Sequence, residues 1–264
     1  PLDELGISTY NSETGWVIKP YEDLLGAKSL SDIAINPSRP NEVFITSYFS
    51  GMLKFQGDAI ELLNNTNTGP NGLESLFLPG NPSYVDIRIN SPAFDKDGNL
   101  WVTNRGTDKA IKVLRTTNQW QSYDIGNYIT NGRFASMEID RNDTKWLPTR
   151  DDGVIAFNDT RNNKTLAIDV NSGLPTTNVL CVAIDKRNQL WVGTAAGLRV
   201  LSSVDQFLQQ DQLTVSNIVI QEGDLAQELF YQQTINDIAV DGANRKWVAI
   251  DNGGVFLVAA NGQQ

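Results

Sequence analysis

An all-β chain folded as a β-propeller is what this 264-residue sequence predicts, and three observations predict it. One frame is written five times: an apolar residue with Asp or Asn, a polar turn, an apolar run centred on an aromatic, then a further apolar run, opened in four of the copies by a Gly. Its fullest copy is Ile184-Asp185, Leu190-Trp191-Val192-Gly193-Thr194 and Gly197-Leu198. The aromatic falls at Phe44, Trp101, Trp146, Trp191 and Trp247, at intervals of 45 to 57 residues. A Trp-bearing unit recurring every ~40–50 residues is the mark of propeller blades, each a four-stranded antiparallel sheet. Finally, every unit breaks into short apolar runs between turn residues, a strand pattern rather than a helical one.

Taken as one domain over 1–264, the five blades occupy about 30–63, 84–125, 133–170, 179–221 and 235–264. The first is the most degraded copy, Ile35-Asn36, Val43-Phe44-Ile45-Thr46 and Gly51-Met52-Leu53. In the second, strands are expected over Val85–Phe94, Leu100–Arg105, Ile111–Leu114 and Gln119–Tyr123. Its Asp97-Gly98 supplies the positive φ that a tight hairpin needs. The third places them over Ala135–Asp140, Lys145–Thr149, Val154–Phe157 and Thr165–Val170. The fourth has Val179–Asp185, Gln189–Thr194, Leu198–Leu201 and a displaced outer strand near Val215–Ile220, with Ser202–Gln212 as an insertion holding a short helix. The fifth has Ile235–Asp241, Lys246–Ile250 and Val255–Ala259, and reaches Gly262-Gln263-Gln264 where an outer strand should begin. Residues 14–19 read as a lone outer strand that completes this last blade and hides its edge. The alternative is that further blades lie beyond this sequence. Two long connections interrupt the rhythm: the polar loop 64–83, and 221–233, where Leu225–Phe230 reads as a helical turn.

Composition narrows the chemistry. With 40% hydrophobic and 20% charged residues the chain is globular. Its net charge of −10 disfavours nucleic acid as a partner, because like charges repel. No run of 18 apolar residues offers a membrane span. The chain contains no histidine, which excludes Ser-His-Asp and Cys-His catalysis and imidazole-bound metals. Its single cysteine, Cys181, lies in the apolar run 179–184 and reads as a core residue rather than a reactive thiol.

The frame Ile-Asp, Leu-Trp-Val-Gly-Thr, Gly-Leu, with its lead-in Gly173-Leu174-Pro175-Thr176-Thr177-Asn178-Val179, resembles the two-component regulator propeller repeat. A narrower similarity lies in Phe94-Asp95-Lys96-Asp97-Gly98-Asn99-Leu100-Trp101-Val102-Thr103-Asn104, Val240–Trp247, Ile18-Lys19-Pro20-Tyr21 and Gly26-Ala27-Lys28. These resemble the PorZ-like propeller family, accessory to type IX secretion in Bacteroidota. The resemblance implies a non-catalytic, exported module at the periplasm, cell surface or outer membrane, with other secretion-complex proteins or a surface glycan as partners. The alternative is the extracytoplasmic oligosaccharide-sensing propeller of a hybrid two-component system. A third reading is a propeller polysaccharide lyase or hydrolase, which would need a carboxylate pair.

Repeats that vary in loops while their strands stay constant bind through those loops. The connections after each second strand, and those that lead into each first strand on the same face, therefore supply the candidate binding residues: Tyr48, Phe49, Asn104, Arg105, Arg133, Arg150, Asp151 and Asp251. The arginines suit an acidic sugar or a partner carboxylate. The central aromatics read as packing between blades. The turns beginning at Asp95, Asp140, Asp185 and Asp241 recur in blade after blade and read as structural; Asp95-x-Asp97-Gly98-Asn99 matches only the start of a calcium loop. No catalytic residue, metal site or cofactor is predicted.

Overall fold

The computed structural model describes residues 4–222 and 225–260. The chain divides into two compact units, Pro1–Ile125 and Gly126–Gln264. Strand-forming residues build both, and the described residues contain one four-residue α-helix, Gln206–Gln209. No helix among them is long and apolar enough to cross a membrane.

The first unit holds two four-stranded antiparallel sheets in simple sequential order. Leu30–Ile35, Glu42–Ser47, Gly51–Gln56 and Ala59–Leu63 form the first; Arg88–Phe94, Leu100–Arg105, Ile111–Leu114 and Trp120–Tyr123 form the second. Phe44, Met52 and Leu63 of the first sheet pack on Ile89, Leu100 and Val102 of the second. Ahead of them, Gly15–Lys19 pairs with Ile7–Asn11. Residues 14–19 are thus one arm of a hairpin rather than a lone strand. Its partner has the alternation Ile7, Thr9 against Ser8, Tyr10, and the turn between carries Gly15 at φ 73°.

In the second unit, Glu138–Ile139, Lys145–Pro148, Val154–Asn158 and Lys164–Ile168 form a four-stranded sheet. Its innermost strand is shorter than the sequence predicts. Pro148 accepts from the Ala135 amide at 2.9 Å but has no N–H to return, so the ladder lapses beside it. Val179–Ile184, Leu190–Thr194 and Gly197–Leu201 form the next sheet, and Ile235–Val240, Lys246–Ile250 and Gly254–Val258 the last. At the fourth repeat's outer position only a bridge between Val200 and Ser216 forms. The strand predicted there instead makes its own hairpin, Val219–Glu222 with Leu225–Glu228. That pairing also corrects the helical turn expected at 225–230. The inserted helix falls inside 202–212 as expected, with Phe207 buried edge-on to Trp146 at 6.1 Å. Gly262 to Gln264 lie outside the described residues.

One turn explains why the frame recurs. Asp95, Asp140, Asp185 and Asp241 each donate their amide to the carbonyl four residues on, at 3.0 Å. Each Oδ1 accepts amides two and four residues ahead. The fourth turn residue is left-handed every time: Gly98 at φ 82°, Asp143 at 63°, Asn188 at 60°, Asn244 at 62°. Only Gly, Asn and Asp adopt that conformation readily. The turn is a hairpin device, with Oδ1 of its carboxylate occupied by backbone amides.

Aromatic packing follows the prediction in four repeats. Phe44, Trp101, Trp146 and Trp191 are buried. Trp146 packs with Val182, Leu190 and Val192 of the next sheet, and Trp191 with Ile235, Ile238 and Val248 of the one after. The fifth departs: Trp247 is 42% exposed, together with Val255 and Leu257. Its cross-strand partner is Leu257.

Candidate functional site

In the first unit, the chain leaves strand Glu42–Ser47 through Tyr48-Phe49-Ser50, where Ser47 Oγ accepts the amides of Phe49 at 3.2 Å and Ser50 at 2.9 Å. That bracket presents the two rings edge-to-face, 5.4 Å apart. Arg88 lies over both, 5.3 Å from the Tyr48 ring and 5.8 Å from Phe49. Arg105, from the end of the second sheet's second strand, hydrogen-bonds the Tyr48 hydroxyl and sits 5.9 Å from its ring. Arg88 is itself aimed by the buried Asp86, through Nε at 3.0 Å and Nη2 at 2.7 Å. The hydrogen bonds to Asp86 raise its pKa, so the guanidinium stays charged. Tyr48, Phe49 and Arg105 therefore stand together, with Arg88 beside them. Arg88 lies inside a strand, where the sequence reading looked for packing alone.

Asn104 is a correction. Its side chain is buried, with Oδ1 accepting the Glu74 amide at 2.7 Å and Nδ2 donating to the Glu74 carbonyl at 3.1 Å. It staples the long connection onto the second blade, and is not a surface contact. Lys112 holds the same Glu74 through its carboxylate at 2.7 Å, although burial lowers the lysine pKa.

In the second unit, Arg133 grips Asp151 with two bonds, one from Nε to Oδ2 at 2.7 Å. Arg150 is exposed beside them, its amide bonded to the Arg133 carbonyl at 3.0 Å. Asp152 accepts from Thr130 through both its amide and its hydroxyl. Asp251 is exposed and accepts from Asn252 at 3.0 Å, outside that cluster. Cys181 is buried, as its apolar run predicts, and burial pushes its thiol up to about 12, which leaves it inert. Glu138 carries the most displaced carboxyl. Desolvation, with the Asp237 charge second, raises it to about 7. No group of three or more metal-ligating side chains stands together among the described residues.

The family described as two component regulator propeller matches residues 173–196, the fourth lead-in and its second strand. Among curated proteins, none matches this chain. Among solved structures, it is similar to PorZ of Porphyromonas gingivalis, a surface component of the type-IX secretion system. The TM-score is 0.83 at 22% identity, covering 98% of this chain and 37% of PorZ. The chain thus spans little more than a third of that protein. It is also similar to the extracellular domain of a hybrid two component system from B. thetaiotaomicron, with TM-score 0.55, 12% identity, and 96% and 36% of the two chains covered. Virginiamycin B lyase from Staphylococcus aureus has TM-score 0.58 at 12% identity, over 95% and 86%. A secretion-system surface component, a two component system's extracellular domain and a lyase share this architecture, so the fold by itself does not decide the activity. The chain is all-β, with the β-propeller fold, carries a two component regulator propeller repeat at 173–196, and resembles PorZ in fold.

Proposed function

We propose that this chain is a non-catalytic binding and assembly module of an exported propeller protein, of the kind that type IX secretion places at the bacterial surface. The observation that carries this reading is the Tyr48, Phe49, Arg88 and Arg105 cluster. It presents two aromatic rings and two fixed guanidinium groups, the chemistry that recognises a carboxylate-bearing partner or an acidic surface sugar. The acids near the loop ends are committed to other work: Asp86 to Arg88, Asp151 to Arg133, Asp152 to Thr130. Carboxylates engaged this way position neighbouring side chains, which supports a binding role over hydrolysis. Similarity to PorZ over 98% of the chain supports the secretion setting.

The test is binding of Arg105→Ala to purified anionic lipopolysaccharide and to purified type IX components. Affinity for the true partner should fall about tenfold, the loss of a charge-assisted contact, with the melting temperature unchanged. Unaltered affinity overturns the proposal. The match at 173–196 favours a second reading, an oligosaccharide-sensing propeller of a two-component system. A parent gene that continues into a transmembrane helix and a kinase would select it.

A further inference from the structure

The connection after the first blade is built rather than slack. Asn67 Oδ1 accepts the Asn64 amide at 2.9 Å while its Nδ2 donates to the Leu62 carbonyl at 3.0 Å. Thr68 Oγ1 donates to the Asn64 carbonyl at 2.6 Å and accepts the Leu73 amide at 2.8 Å. These bonds hold residues 64–73 as one wall of a groove of about 750 Å³, whose other wall is the outer hairpin Leu114–Gln121 of the second blade. The volume suits one or two sugar rings.

The lining has a distinct chemistry. Trp120 lies half-buried on one side, packed against the Phe44 cluster. Around it stand the exposed amides of Asn71, Asn118 and Gln121. Gln121 Oε1 accepts from Arg115 at 2.9 Å and from Tyr123 at 3.2 Å, which turns the amide nitrogen, Nε2, away from those partners. The charged residues of the lining are one Lys54 and one Glu61, and Lys54 is already paired with Glu42 at 3.3 Å, so the lining offers no cluster of one sign. Its polarity is too high for a lipid chain. An indole beside a ring of amide donors and acceptors is matched by a polyhydroxylated, uncharged ring, with C–H faces on the indole and hydroxyls on the amides.

We propose that this groove is a binding site for a neutral oligosaccharide, separate from the arginine cluster and independent of it. The experiment is calorimetric titration of the whole chain with maltotetraose, cellotetraose and chitotetraose. At least one should bind in the millimolar range or tighter, and Trp120→Ala should weaken it about tenfold. Because Trp120 also packs on core residues, Asn71→Ala with Asn118→Gly is the second variant. Asn118 is left-handed at φ 61°, and glycine keeps that turn while deleting the amide. This variant should lose several-fold in affinity with an unchanged melting temperature. No binding up to about 10 mM, or binding that both variants retain in full, overturns the proposal.

Discussion

Lys246 stands 2.7 Å from Asp185, and both side chains are withdrawn from solvent. In the second, third and fifth repeats the corresponding Oδ2 receives the repeat's own indole, at 2.8 Å for Trp101, 3.1 Å for Trp146 and 3.3 Å for Trp247. In the fourth, that oxygen has gone to a lysine of the following repeat, with Asn244 Nδ2 also reaching it at 3.3 Å. Trp191 Nε1 is left without a partner, and Lys246 lies 4.5 Å over the Trp191 ring.

Breaking this pair strands a charge. Lys246→Ala should cost about 3–5 kcal/mol in urea unfolding, whereas Asp185→Asn with Lys246→Met should recover most of it, because neither charge then remains buried. The acid limb carries the same signature. Burial opposes ionisation of Asp185, but Lys246 and the amides of Gln189 and Arg187 outweigh it and hold its pKa below the usual value of 3.8. A depressed carboxyl contributes stability above its unfolded pKa and loses it as pH falls through the lower folded value. The double variant should therefore lack part of the acid-unfolding transition below about pH 4.

The indoles are unequal in what they hold. Trp146 donates to Asp140, whose pKa burial raises even with that bond in place. Trp146→Phe leaves a buried carboxylate oxygen unmatched. It should be about 1–3 kcal/mol more destabilising than Trp191→Phe, which removes no hydrogen bond. Equal losses in chemical denaturation would show that the Asp140 bond contributes little.

Gly193 is closed to any side chain. A Cβ there would stand 2.5 Å from Cys181 Sγ and 2.7 Å from Ile235 Cγ2. Gly193→Ala should cost about 1–3 kcal/mol by overpacking the seam between the fourth and fifth sheets. Cys181→Ala in the same chain should relieve much of it, a coupling read from a double-mutant cycle.

Glu138 gives a pH dependence of the opposite sense to Asp185. Its carboxyl titrates near 7, against 4.5 when unperturbed. A raised acid adds stability in full below the unfolded value and loses it as pH rises through the folded one. Because the Glu138 side chain is exposed, solvent screens much of this effect, and midpoints of unfolding should fall only slightly between about pH 5 and 7.5, a slope that Glu138→Gln should flatten.

Much of the fold could be read because hairpin chemistry is local. The second strand and third strand of the second blade, Leu100–Arg105 and Ile111–Leu114, have the predicted bounds. An Asp five residues ahead of Leu100 and a left-handed Gly98 settle where that hairpin turns. Residues whose state is decided by a pairing partner outside the repeating frame depart from the sequence pattern. Leu225-Ala226-Gln227-Glu228 has helical propensity, yet ladder bonds to Val219–Glu222 override it. Asn104 looks like any exposed loop amide until a backbone 30 residues earlier folds onto it. Of the loop candidates, Tyr48, Phe49 and Arg105 are brought together by the fold, and their variation among repeats marks them in the sequence. Arg88 is not marked in that way, since its role depends on Asp86 two residues before it and on rings forty residues away in sequence.

The stitch from Asn244 and Lys246 back to Asp185 gives this part of the chain a direction in time. A nascent polypeptide made only as far as Val240 carries an aspartate with its cation still unsynthesised. The fourth repeat can close its hairpins by then, but it cannot finish its seam. The last two repeats are therefore coupled in assembly, and a fragment ending between them lacks the cation that closes its seam.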